Sequence, residues 1–135
     1  MPGFLTDYSN NKILDLFLGS SAFTAPATLY FGLSLILANK GGSYQEPSGR
    51  GYARVPVDNN LTNFAAATSG TKSNSTTLTF PTPTGAWGTI MSLFLADAAE
   101  GGNVLAMADL TTPKTITGGG PPATLAAGAL YLSHT

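Results

Sequence analysis

The sequence predicts a mainly β protein, a jelly-roll-like antiparallel β-sandwich with one short N-terminal helix. Three observations predict it. Apolar residues recur with a period of two along several short runs. Turn chemistry such as PTPTG, DAAEGGN and TGGGPP separates those runs, drawing on 16 Gly and 9 Pro in 135 residues. A helical period occurs in one place only, near the start.

That place is SNNKILDLFLGS. Ser9 or Asn10 can cap a helix, and Ile13, Leu14, Phe17 and Leu18 fall at the i, i+1, i+4, i+5 spacing of one helical face. Gly19 supplies a stop. The expected helix runs over 9–18. Its apolar stripe needs a sheet to lie on, in the same subunit or a neighbouring one.

After Pro26 the period becomes two. Over 28–37, Leu29, Phe31, Leu33, Leu35 and Leu37 share one face of an extended strand, and Tyr30, Gly32, Ser34 and Ile36 share the other. A polar, Gly-rich loop, ANKGGSYQEPSGRG, fills 38–51 and is longer than most connections. A strand over 52–57 turns Ala53, Val55 and Val57 inward and Arg50, Tyr52, Arg54 and Pro56 outward; Pro56 suits an edge. Further strands are expected at 75–80, 89–96, 104–110, weakly at 114–117, and at 129–133, with a short one available at 61–64. The run 89–96 is apolar on both faces, so it belongs at the centre of a sheet, hairpinned to 104–110. All of 1–135 reads as one domain, long enough to bury a sizeable core.

Charge narrows the function. Six basic and seven acidic residues give a net charge of −1, and charged residues make up 10% of the chain. No basic stripe exists to neutralise phosphates, so nucleic acid is not an expected partner. The apolar run at 29–38 is about half the roughly 20 residues that span hydrocarbon as a helix, so no membrane partner is expected either. The N-terminus lacks an early Lys or Arg ahead of an apolar region and does not read as a secretory signal. With no cysteine, disulfides and thiolate metal sites are excluded and stability rests on packing. A surface this poor in ions suits burial among other subunits as well as an ordinary Thr-rich neutral exterior.

No reaction centre emerges, and no cofactor is expected. The single histidine, His134, sits beside the C-terminus and reads as part of a frayed end. The Gly-rich stretches lack the Lys-Ser/Thr of a phosphate loop. Asp97, Glu100 and Asn103 at the tip of the central hairpin are candidate cation ligands, but they fall short of a recognisable calcium loop and suit a solvated turn as well. The remaining candidates are for protein contact. Arg50, Tyr52 and Arg54 set two guanidiniums around a phenol on an outward strand face, with Tyr44 nearby in the preceding loop. The intramolecular alternative pairs Arg54 with Asp58 or Glu46, or stacks it on Tyr52. An outward Arg54 predicts that Arg54→Ala weakens attachment to a particle and leaves the monomer fold intact.

The succession NKILDLFLG, TAPATLYFGLS, EPSGRGYARVPV, NFAAATSGTKSNSTTLTFPTPTGAWG and ADAAEGGNVLAMADLTTPKTI resembles a family of small bacteriophage virion structural proteins, often labelled tail fibre proteins. The chain departs from that pattern at LILANKGGSYQ, where the family often has an acidic segment. The resemblance implies a β-rich particle component, localised to the virion, without catalysis. Two placements follow. A capsid decoration or cement protein would bind the major capsid protein, as a dimer or trimer, and stabilise the shell; the compact single domain favours this one. The alternative is a tail fibre or tail adaptor component that meets other tail proteins during host attachment. A carbohydrate-binding module using Trp87, Tyr44 or Tyr52 is a third possibility.

Overall fold

The computed structural model describes residues 1–133. His134 lies outside the described residues. Strands hold 36% of the chain and helix 8%, so the mainly β expectation with one helix is met. The strands do not form two facing sheets of similar size. Seven of them join one curled sheet, a half-barrel, and two more form a small ribbon.

Strand β1 (Pro2–Leu5) leads directly into helix α1 (Asp7–Phe17). β2 (Thr28–Ser34), β3 (Val55–Asp58), β4 (Thr71–Ser73) and β5 (Leu78–Thr79) follow. The long pair β6 (Gly88–Ala96) and β7 (Val104–Ile116) precedes β8 (Thr124–Leu125) and β9 (Tyr131–Ser133). The large sheet has the order β3-β2-β6-β7-β1-β9-β4, and β5 pairs with β8. Neighbours are antiparallel except β1 and β9, which run parallel.

The period-two residues behave as their spacing demands. Leu29, Phe31 and Leu33 of β2 are buried in the main core with Leu93 and Leu95 of β6, Ala106 and Ala108 of β7, and Trp87. β6 is buried on both faces and central, as expected from its sequence. Its second face carries Phe94, Ala96 and the neighbouring Met107 and Val104, covered by Tyr44, Phe4 and Ala38. Gly32 exists for this second layer: a Cβ there would run into the Phe94 ring.

Several boundaries move for identifiable reasons. β2 stops at Ser34 because the Ser34 hydroxyl accepts the N–H of Ile36 and of Gln45, turning the chain back; Leu37 is consequently exposed. The weak run at 114–117 is not a separate strand but the continuation of β7 past a wide bulge. Ile90 pairs with Lys114 and Ser92 with Asp109, so residues 110–113 stand opposite Met91 alone. Pro113 falls inside that bulge, where no ladder N–H is required. At 61–64 there is a turn, held by Asn60 Oδ1 accepting from Thr62 and Asn63, with Phe64 tucked against Phe31.

The helix differs most from expectation. Its N-cap is Thr6, not Ser9 or Asn10. The Thr6 hydroxyl accepts from Ser9 N–H at 3.5 Å and donates to the Val104 carbonyl at 2.5 Å, tying the helix start to β7. Ser9 is buried and donates to Leu105 O at 2.7 Å. Ser9, Ile13 and Leu16, at i, i+4 and i+7, therefore form the side nearer the sheet. Leu14, Phe17 and Leu18 are left uncovered, 55%, 76% and 81% exposed. At the other end the left-handed residue is Ser20, not Gly19, and Ser21 N–H closes the turn on Asp15 O.

Candidate functional site

The polar constellation forms where the loop after β2, the chain ahead of β3 and the β6–β7 hairpin tip converge. Gly49, Arg50 and Gly51 take positive φ of 63°, 56° and 81° in succession, and Tyr52 N–H bonds Gly49 O. This turn delays the strand to Val55. Residues 52–54 are thereby freed from strand alternation, which corrects the expectation that Tyr52 and Arg54 share an outward face. Tyr52 turns toward the main core, its ring edge-on to Trp87 at 5.2 Å. Arg54 turns to the other layer, over the rings of Phe94 and Tyr44 at 5.0 and 5.3 Å.

Arg54 is not a surface residue. Its side chain is 1% exposed. Nε and Nη2 donate to the two oxygens of Glu46 at 3.0 and 2.8 Å. Nη2 also reaches the Tyr44 hydroxyl at 3.1 Å. Nη1 donates to the carbonyls of Ala98 and Gly101 at 2.7 and 3.0 Å, clamping the hairpin tip. Burial alone would lower the affinity of this guanidinium for its proton. The hydrogen bonds and charge of Glu46, then the Tyr44 hydroxyl, outweigh that and hold its pKa above the ordinary value.

Tyr52 completes the cluster. Its hydroxyl donates to Glu46 Oε2 at 2.6 Å and accepts from Leu33 N–H at 3.0 Å. Burial, then the bond to Glu46, pushes the phenol pKa well above its usual range. A groove of about 580 Å³ opens beside the cluster, lined by Glu46, Ser48, Gly49, Tyr52, Ala53 and Glu100. Both oxygens of its inner carboxylate, Glu46, are already engaged.

The other candidates are placed as follows. Arg50 is exposed; its backbone carbonyl accepts from Trp87 Nε1 at 2.8 Å and from Thr84 N–H at 2.9 Å. Trp87 is 4% exposed and Tyr44 stacks on Phe94 at 4.4 Å, so with Tyr52 packed on Trp87 the three aromatics proposed for sugar stacking serve the core. Asp97 closes its own hairpin: its carboxylate accepts from Asn103 N–H at 2.7 Å and Asn103 Nδ2 at 3.1 Å. Glu100 lies apart, on the groove. Among the described residues no group of three or more His, Cys, Asp or Glu is placed to share a metal ion. Among the described residues no helix is long and apolar enough to cross a membrane.

Of the intramolecular partners the sequence offers Arg54, Glu46 is the one realised. The stacking partner is Tyr44 with Phe94, not Tyr52. The tip carbonyls of Ala98 and Gly101 carry no sequence signal at all, being backbone groups 44 and 47 residues away.

A curled sheet pinned by a saturated buried ion pair, with its conspicuous aromatics spent on packing, defines a β-rich structural module. The family model described as "Podophage GP4 fiber I protein gp80" matches residues 4–133, and the chain belongs to that family. It is thus a phage virion structural protein of the fibre type, in agreement with the resemblance read from its motifs. No curated protein matches it.

Proposed function

We propose that this chain is a non-enzymatic component of a phage tail fibre or its adaptor, working through assembly with other tail proteins. The observation that carries the reading is the closed Glu46–Arg54–Tyr52 cluster. It brings acid, base and phenol together, and each is engaged with another group of the same chain. Such a site adds rigidity and offers no free base or nucleophile. The fibre description of the family supports a tail placement over the capsid-decoration placement expected from compactness.

Copy number separates the two placements. A stained gel of purified particles, calibrated on the major capsid protein, should give fewer than about twenty copies per virion, as a tail ring or fibre set requires. Antibody labelling should fall at the tail. Hundreds of copies per particle, with label over the head, would reject the tail reading in favour of a shell protein.

A further inference from the structure

From Leu14 onward α1 stands clear of the sheet, and we infer that this arm is the surface by which one copy of the chain binds a second, α1 against α1. The inference deepens the assembly reading and rests on it, but not on tail rather than shell placement. Leu14, Phe17 and Leu18, at i, i+3 and i+4, line the outward face at 55%, 76% and 81% exposure. Phe23 extends the patch at 38%. Residues 19–25 continue it without a buried member.

Area and charge select the occupant. Four large apolar side chains at these exposures present ~450 Å² on one copy, the size of the largest patch on a typical monomer, which is often functional. Two arms pressed together bury ~900 Å² through these side chains, and the exposed residues 19–25 of each copy bring the total past ~1,000 Å², the lower limit of a specific interface. The outward face between Leu14 and Leu18 holds no charge. Asp15 and Lys12 sit off that face with opposite signs, so self-association brings no like pair to its centre. Among the described residues the other exposed large apolars, Ile36, Leu37, Leu61 and Tyr131, form no comparable run along the chain. The arm of a second copy is therefore the best-matched apolar surface the chain itself supplies. Apolar, uncharged and self-complementary patches are the mark of homo-oligomer interfaces.

Stability points the same way. An 11-residue helix is marginal alone, and this one is tied down at its base, through Thr6, Asp7, Ser9 and Asn10. Packing against a second arm would hold its last two turns.

The test uses the full chain in analytical ultracentrifugation over about 1 to 100 µM, a range that brackets micromolar affinity. Wild type should associate, and Phe17→Asp with Leu18→Asp should weaken association by at least ~100-fold. The melting curve of the monomeric variant should retain the cooperative β transition, since neither residue enters the core. Because the chain has no cysteine, a mixture of Leu14→Cys and Leu18→Cys copies provides a second readout: oxidation should link copies through the arms, while Thr79→Cys, exposed on β5, should not link. A wild type that stays monomeric throughout, association undiminished by the double substitution, or loss of particle binding with self-association unchanged would each overturn the inference. The copy-number experiment is indifferent to these outcomes.

Discussion

Replacing Arg54 by alanine removes five hydrogen bonds and two aromatic faces at once. Glu46 loses both guanidinium bonds, and the carbonyls of Ala98 and Gly101 lose the donor that binds the hairpin tip to the body. Stranding one partner of a buried pair costs about 3–5 kcal/mol. Here the Glu46 side chain keeps 22% of its surface in water, which lets solvent recover part of the loss. The lower end, about 3 kcal/mol, is therefore expected. For a domain of this size that is roughly a 10 °C fall in melting temperature. Urea unfolding followed by tryptophan fluorescence suits the measurement, because Trp87 packs on Tyr52 inside the same region. Arg54→Lys should recover less than half of the loss, since an ammonium cannot reproduce the planar fork that serves two carboxylate oxygens and two carbonyls. The double substitution Glu46→Leu with Arg54→Met should cost clearly less than the two single losses added together, because it leaves no unpaired charge. A destabilisation below about 1 kcal/mol for Arg54→Ala, or strict additivity of the pair, would refute the clamp as a source of rigidity.

Tyr52 gives a pH prediction. Its phenol keeps its proton in the folded state past the pH at which the unfolded chain releases it, so its contribution is complete below about pH 10 and declines above it, by about 1.4 kcal/mol per pH unit. Tyr52→Phe should remove that alkaline slope while costing about 1–3 kcal/mol at neutral pH through the orphaned Leu33 N–H, both read from urea titrations at several pH values. Gly102→Ala sets a Cβ 2.7 Å from the Ala98 Cβ at a residue with φ of 75°, and should destabilise by about 1–3 kcal/mol. Its effect should be non-additive with Arg54→Ala, since both act on the hairpin tip. Thr6→Val removes the N-cap and the bond to Val104 O; a loss of about 1–2 kcal/mol with reduced far-ultraviolet helical signal is expected.

Where local spacing and tertiary packing agree, the chain was legible. The alternation of Leu29, Phe31 and Leu33 and the two-sided apolar run of β6 placed both strands correctly, because period two leaves only one face to bury. β1, β4 and β8 were missed: they are two to four residues long and exist through distant partners, as when Gly3 meets Ala108 on one side and Leu132 on the other. The facing sheets of a sandwich were inferred from strand number, yet strand number does not say that β9 will bridge β1 and β4 and so extend one curled sheet. Arg54 was misplaced for a backbone reason, three consecutive left-handed residues that no periodicity rule registers. The helix was found, but its orientation was not. A hydrogen-bonded Ser9 and Thr6 fixed the base, and the apolar stripe that should have sought the sheet was turned away from it.

That orientation bears on how copies can meet. A half-barrel has two free edges, and free edges ordinarily invite strand addition. Both are blunted here. β3 carries Pro56 in a four-residue strand, and β4 is three residues long with Lys72 at its centre. Edge pairing would gain few hydrogen bonds at either place. The face of the sheet away from the main core offers no substitute, because Phe94 and Met107 are already covered by Tyr44, Phe4 and the Arg54 clamp. What is left is the arm, which among the described residues is the longest apolar run that the fold leaves uncovered. With the sheet edges resisting pairing, the self-association proposed above would be directed to the exposed last turns of α1. Adding a charge at Phe17 should therefore abolish assembly more completely than any single change on β3 or β4.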